Sequence, residues 1–277
     1  MALTDERLTT IAHRLLDVPG VVGVVLGGSR ARGTHTEDSD YDLGLYYRSP
    51  LDTKRLGELA VEVAGPGSGV TAVGEWGPWV DGGGWLRIDG AAVDWLYRDV
   101  DRVERCWAEA ERGRYGFHTQ GGHPLGVPDH AYPGELALAR ILADPTGDLA
   151  TLQRRVRVFP RPLAEALVAG LWEADFLAGV ARKAVTRGDS AYVAGCLFRL
   201  VGVLTHALHG AAGRWLINEK GAVAATAVLP GAPGAFRSRV DAIFAALDAD
   251  PSHLTAAIDL AADLVLETTD ACAIMMR

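Results

Sequence analysis

Two short stretches of this 277-residue sequence combine residue types suited to anions and cations, Leu26-Gly27-Gly28-Ser29-Arg30-Ala31-Arg32-Gly33 and Ser39-Asp40-Tyr41-Asp42-Leu43. A strand that ends in Gly-Gly-Ser and enters a helical turn presents backbone N–H groups and a hydroxyl to an anion, with no bulky side chain in the way. Gly28 and Ser29 therefore form a candidate phosphate seat, although most such tripeptides are simply turns. Asp40 and Asp42 are two apart, and a strand turns alternate side chains to one face, so their carboxylates converge. Like charges side by side raise each other's pKa unless a cation lies between them. Mg²⁺ suits that place, since it combines one or two carboxylates with substrate phosphates. Glu37 and Asp38 lie in the same stretch, so a solvated acidic turn is the competing reading.

Asp94 adds a third acid, set in the apolar stretch Ala92-Val93-Asp94-Trp95-Leu96-Tyr97, where an unpaired carboxylate is expensive to bury. Beside the Asp40/Asp42 strand it would serve as a metal ligand or as the base that takes a proton from an attacking group. The alternative is a salt bridge to Arg98 or Arg87.

The three-part set of Gly28-Ser29, Asp40-x-Asp42 and a later strand aspartate resembles the signature of the nucleotidyltransferase superfamily that includes DNA polymerase β. A small catalytic domain followed by helices is most similar in layout to bacterial aminoglycoside and lincosamide nucleotidyltransferases. The resemblance implies transfer of a nucleoside monophosphate, AMP first of all, from an NTP to a hydroxyl, with pyrophosphate leaving. It implies Mg²⁺, two ions in all, on Asp40, Asp42 and Asp94, the triphosphate on Gly28 and Ser29, and phosphate charge met by Arg30 and Arg32. Relatives place a lysine of the helical domain on the phosphates; Lys220 is the expected counterpart here, with a surface lysine as the alternative. Glu173 and Asp175 are candidates for acceptor binding, the alternatives being a solvated helix face or an ion pair with Arg182 or Lys183. The leading acceptor is a small molecule, an antibiotic among the options. Alternatives are AMP transfer to a partner protein, as in antitoxin-type nucleotidyltransferases, and an inactive nucleotide-binding module.

These residues need a scaffold, and the apolar spacing predicts α+β: a small mixed sheet with helices over residues 1–112, a Gly/Pro/His-rich loop or linker over 113–133, and an all-helical bundle over 134–277. A first helix is expected over Asp5–Leu16, strands at Val21–Leu26 and Leu43–Tyr47, and a helix over Leu51–Ala64. Asp89-Gly90 suits a type I′ turn between strands Trp85–Ile88 and Ala92–Tyr97. Helical spacing then recurs at Glu135–Leu142, Pro162–Thr186, Ser190–His209, Ala235–Leu247 and His253–Met275, interrupted by Gly210–Pro233. His118, His123 and His130 fall in the loop without metal-ligand spacing and read as exposed.

Bulk properties favour a small-molecule or protein substrate over a polynucleotide. The net charge of −8 argues against broad nucleic-acid binding, which needs clustered Lys and Arg. Cys106, Cys196 and Cys272 are far apart among apolar neighbours and read as buried free thiols. No apolar run approaches the roughly 20 residues of a membrane span, and Met1–Arg14 lacks a secretory apolar stretch, so a cytoplasmic protein is expected. The oligomeric state is not legible.

Overall fold

A computed structural model describes residues 3–277. The first unit takes the chain up to Ala108 and again from His118 to Val158; the second takes Glu109–Phe117 and Phe159–Arg277.

In chain order the elements of the N-terminal half are α1 (Asp5–Leu16), β1 (Val21–Leu26), α2 (Gly28–Arg32), β2 (Tyr41–Tyr47), α3 (Thr53–Ala64), β3 (Gly83–Ile88), β4 (Ala91–Asp99) and α4 (Val100–Ala110). They are followed by β5 (Phe117–Gln120), β6 (His123–Pro128), α5 (Ala131–Leu138), β7 (Arg140–Ala143) and α6 (Asp148–Val156). Helix α1 starts where the Thr4 side chain accepts from the Arg7 N–H, and it buries Leu8, Ile11, Ala12 and Leu15, the i, i+3, i+4, i+7 stripe of an amphipathic helix. Helix α3 repeats this with an Asp52 cap and Leu56, Leu59, Ala60 and Val63. Both stripes share a core with Leu43, Leu45, Val93 and Trp95 on one face of the sheet.

The sheet has the order β3-β4-β2-β1-β7. Only β2 and β4 run parallel; β1 pairs antiparallel with β2 and β7, and β3 with β4. The turn between β3 and β4 has positive φ at Asp89 (51°) and Gly90 (82°), the conformation a type I′ hairpin requires.

The segment expected as a loop over 113–133 is instead a two-stranded hairpin, β5-β6, followed by the start of α5. Its glycines serve the hairpin: Gly122 turns the chain with φ 81°, and at Gly126 the backbone passes so close to His118 that a Cβ would lie 3.0 Å from its carbonyl oxygen. The buried Gln120 side chain accepts from the Trp79 and Val80 N–H groups and donates to the Trp76 carbonyl, which ties the hairpin to the Trp-rich loop before β3. His118 is half-buried, stacked on Trp79 and bonded to Asp129. His130 is fully buried, and burial drives its pKa down to about 3, so neither is an exposed loop residue. The helix expected over Glu135–Leu142 stops at Leu138, and the chain turns into the edge strand β7, so residues 134–158 belong to the first unit.

The second unit contains α7 (Arg161–Ala169), α8 (Trp172–Val185), α9 (Ser190–Ala211), α10 (Ala222–Ala227), α11 (Phe236–Ala245) and α12 (Pro251–Met275). The single helix expected over Pro162–Thr186 is two, divided at Gly170-Leu171, and the interruption at Gly210–Pro233 holds the short α10. Helix α9 is 22 residues long and apolar enough by length and composition to cross a bilayer, contrary to the expectation that no run approaches that length. In this unit it is the central core helix, with Leu197, Leu200, Leu204 and Leu208 fully buried. The three cysteines are free and buried.

Candidate active site

The parallel pairing of β2 with β4 builds the site. Its register sets Asp42 opposite Asp94, on the face turned away from the α1/α3 core, because Leu43 and Val93, each next in sequence to one of the acids, point into that core. Asp40 lies one residue ahead of β2 and is exposed. Burial, followed by the charges of Asp42 and Asp40, raises the Asp94 pKa to about 6. Burial also raises that of Asp42, assisted by Glu135 and Asp40 and opposed by Arg98 and Arg32. The three acids named from the sequence therefore feel one another's charge. Among the described residues Asp94 has no ion pair: Arg98 is taken by Glu135, and Arg87 donates to the Gly90 carbonyl.

Gly28 explains why the loop after β1 belongs to this site. It has φ 62°, and a Cβ there would fall 1.7 Å from Asp42 Oδ2, so the backbone runs directly against the carboxylate. The neighbouring Gly27 N–H donates to the Asp42 carbonyl at 2.7 Å. No side chain caps α2, which begins at Gly28, and the Ser29 hydroxyl makes no hydrogen bond among the described residues. Gly28→Ala is expected to push the Asp42 carboxylate aside and to lower activity at least tenfold, with a stability cost of about 1 kcal/mol for the left-handed backbone. Steady-state kinetics and a thermal melt on the variant check both parts.

The two arginines expected on phosphate divide. The Arg30 guanidinium donates to the carbonyls of Ser39 (2.6 and 2.9 Å), Asp40 and Glu37 and lies 3.8 Å from the centre of the Tyr41 ring. It braces the turn that presents Asp40. Arg32 is exposed and makes no ion pair among the described residues, yet its charge reaches Asp42.

A fourth acid was not named from the sequence. Glu135 of α5 grips the buried Arg98 of β4 through both carboxylate oxygens, and its charge acts on Asp42. Its position inside a presumed helical domain concealed it; a buried arginine on an acid-bearing strand, needing a partner, was the available signal.

Among the described residues no three His, Cys, Asp or Glu side chains are gathered into a group that could hold a metal. Asp40, Asp42 and Asp94 do fit a cation that completes its shell with substrate oxygens and water, as Mg²⁺ does, because Asp42 and Asp94 adjoin and lack cationic partners in contact, and the Gly28 backbone runs against Asp42.

The other expected residues lie in the second unit. Glu173 forms a bidentate ion pair with Arg199 at 2.7 and 3.1 Å; Arg182, one of the partners expected for it, pairs with Asp259. Asp175 is exposed, and Lys220 is exposed in the turn ahead of α10.

Residues 8–66 match the family model of the nucleotidyltransferase domain. That stretch includes Gly28, Ser29, Asp40 and Asp42 and ends before Asp94. The chain is similar to a solved structure of a nucleotidyltransferase-like protein from Exiguobacterium sibiricum 255-15, at 11% sequence identity and a TM-score of 0.47, with 98% of this chain and 77% of that one covered. No curated protein matches the sequence. Residues 8–66 thus form a nucleotidyltransferase domain.

Proposed function

We propose that the enzyme transfers a nucleoside monophosphate, AMP in the first instance, from an NTP to a hydroxyl of a small molecule in the presence of Mg²⁺. The observation that carries this reading is the register of β2 on β4, which sets Asp42 beside Asp94 next to the Gly28 cradle. Gly28 and Ser29 receive the triphosphate through backbone N–H groups and the free hydroxyl, and Arg32 meets phosphate charge as a fork of donors. Asp40 and Asp42 would hold Mg²⁺, with Asp94 beside them; when bound, the ion polarises the phosphoryl oxygens and offsets the charge on the leaving pyrophosphate. Asp94 takes the proton of the acceptor hydroxyl. The acceptor oxygen then bonds to the α-phosphorus as the bond to the bridging oxygen breaks, and pyrophosphate departs with that electron pair. Antibiotics with exposed hydroxyls are one class of acceptor to screen.

Thermal stabilisation by each NTP, with and without Mg²⁺, tests the reading. A ligand held at 100 times its Kd stabilises the native state by about 2.7 kcal/mol, which raises the melting midpoint by several degrees. The shift is expected only with Mg²⁺ and only in the wild type, not in Asp42→Asn. No shift with any NTP would overturn the transfer reading, and a shift without turnover of any acceptor would favour an inactive nucleotide-binding module.

A further inference from the structure

The acid-bearing face of the sheet continues past Asp94 onto an aromatic surface. The edge strand β3 sets Trp85 opposite Asp94, and Trp85 is 72% exposed, an unusual place for the largest apolar side chain. One face of its indole is covered by Trp76, stacked at 4.4 Å with an interplanar angle of 20°. Gly83 permits that approach, since a Cβ there would meet Trp76 Cη2 at 2.9 Å. Beside the pair runs a groove of about 570 Å³ whose lining includes Gly67, Gly69 and Arg87. Two parallel indoles, held by a glycine and left open to solvent, offer a planar surface to which a third ring can add.

Strand order indicates which substrate that surface meets. Across the sheet come β1, with the Gly28-Ser29 loop at its end, then β2 with Asp42, β4 with Asp94 and β3 with Trp85. In phosphoryl transfer the attacking and leaving oxygens lie roughly in line across the phosphorus. With pyrophosphate at Gly28-Ser29, the attacking hydroxyl enters from the β4 side, and Trp85 stands one strand spacing, roughly 5 Å, beyond Asp94. Resting on the proposed transfer reaction, we propose that Trp85, backed by Trp76, is the docking platform of the acceptor, a hydroxyl-bearing compound with a planar aromatic or heteroaromatic ring. The carboxylates of Asp94, Asp42 and Asp40 beside the platform favour a neutral or cationic ring over an anionic one.

Tyramine, a hydroxylated planar ring with an ammonium group, is a suitable probe, and calorimetric titration reads its binding without turnover. The wild type is expected to bind tyramine, Trp85→Ala to bind it at least tenfold more weakly, and Trp85→Phe to stay within about threefold of wild type, as stacking requires. 4-(2-Aminoethyl)cyclohexanol, with the same polar groups at the same ring positions on a non-planar ring, is expected to bind at least tenfold more weakly than tyramine. Absence of tyramine binding to the wild type, or equal binding to Trp85→Ala, overturns the platform. ATP with Mg²⁺ is titrated into the same proteins. If Trp85→Ala weakens ATP instead, the nucleobase occupies Trp85 and the acceptor assignment is overturned. If ATP fails to bind the wild type while tyramine binds through Trp85, the ring site stands and the transfer reading falls.

Discussion

Asp42→Ala is expected to lower nucleotidyl transfer by at least ~10²–10³-fold, the loss seen when one group aimed at developing charge is removed, while the metal-free fold stays as stable as wild type or becomes slightly more so. The second half follows from the same geometry as the first. Asp42 is half-buried beside Asp94 and Asp40, and burial and like charge hold its pKa up, so its ionised form is a cost to the empty protein. A site that concentrates carboxylates for a cation is strained without one, and removing a carboxylate relieves that strain. The sign can be checked against pH. Asp94 titrates near 6 in the fold and near 3.8 when free, so between those values the native state binds more protons than the unfolded chain. Metal-free stability therefore falls as pH rises from about 4 to 6, and the fall should be smaller in Asp42→Ala. Pyrophosphate release measures the first effect and thermal melts from pH 4 to 7 the second. Activity within tenfold of wild type, or a variant clearly less stable at pH 7, would remove Asp42 from the centre of the site.

Glu135→Gln is expected to do the reverse, destabilising the first unit by about 3 kcal/mol and lowering its melting midpoint by roughly 6–12 °C. Arg98 is only 7% exposed, and Glu135 receives both its Nε and Nη2 donors. Gln keeps one acceptor and loses the charge, which leaves a buried guanidinium without its counter-ion. Breaking one side of such a pair costs far more than replacing both, so the double variant Arg98→Met/Glu135→Leu should recover most of the lost stability. If Glu135→Gln melts like wild type, solvent supports Arg98 and the pair is incidental. The two variants thus separate an acid that serves chemistry at the expense of stability from one that serves the fold.

Much of this was legible in the residues themselves. The α1 stripe, the Asp89-Gly90 turn and the Gly28-Ser29/Asp40-x-Asp42 set depend on neighbours within a few positions, and local spacing reports such features directly. The reading failed where a local pattern was ambiguous and a distant partner decided it. Gly121, Gly122 and Gly126 look like loop residues until β5 and β6 pair, and residues 140–142 read as the end of a helix until β1 offers them an edge. Arg30 looked available for phosphate until the carbonyls of the 37–40 turn folded around it.

The sequence by itself determined the candidate set of glycine, serine and aspartate, because these residue types at these spacings have few other uses in combination. Tertiary structure decided how they meet. Parallel pairing of strands about fifty residues apart set Asp42 against Asp94, helix α5 of the first unit brought Glu135 to Arg98, and an edge strand placed Trp85 beside the acids. Strand register and ion-pair choice are settled by packing and burial over the whole sheet, and no window of local sequence contains that information.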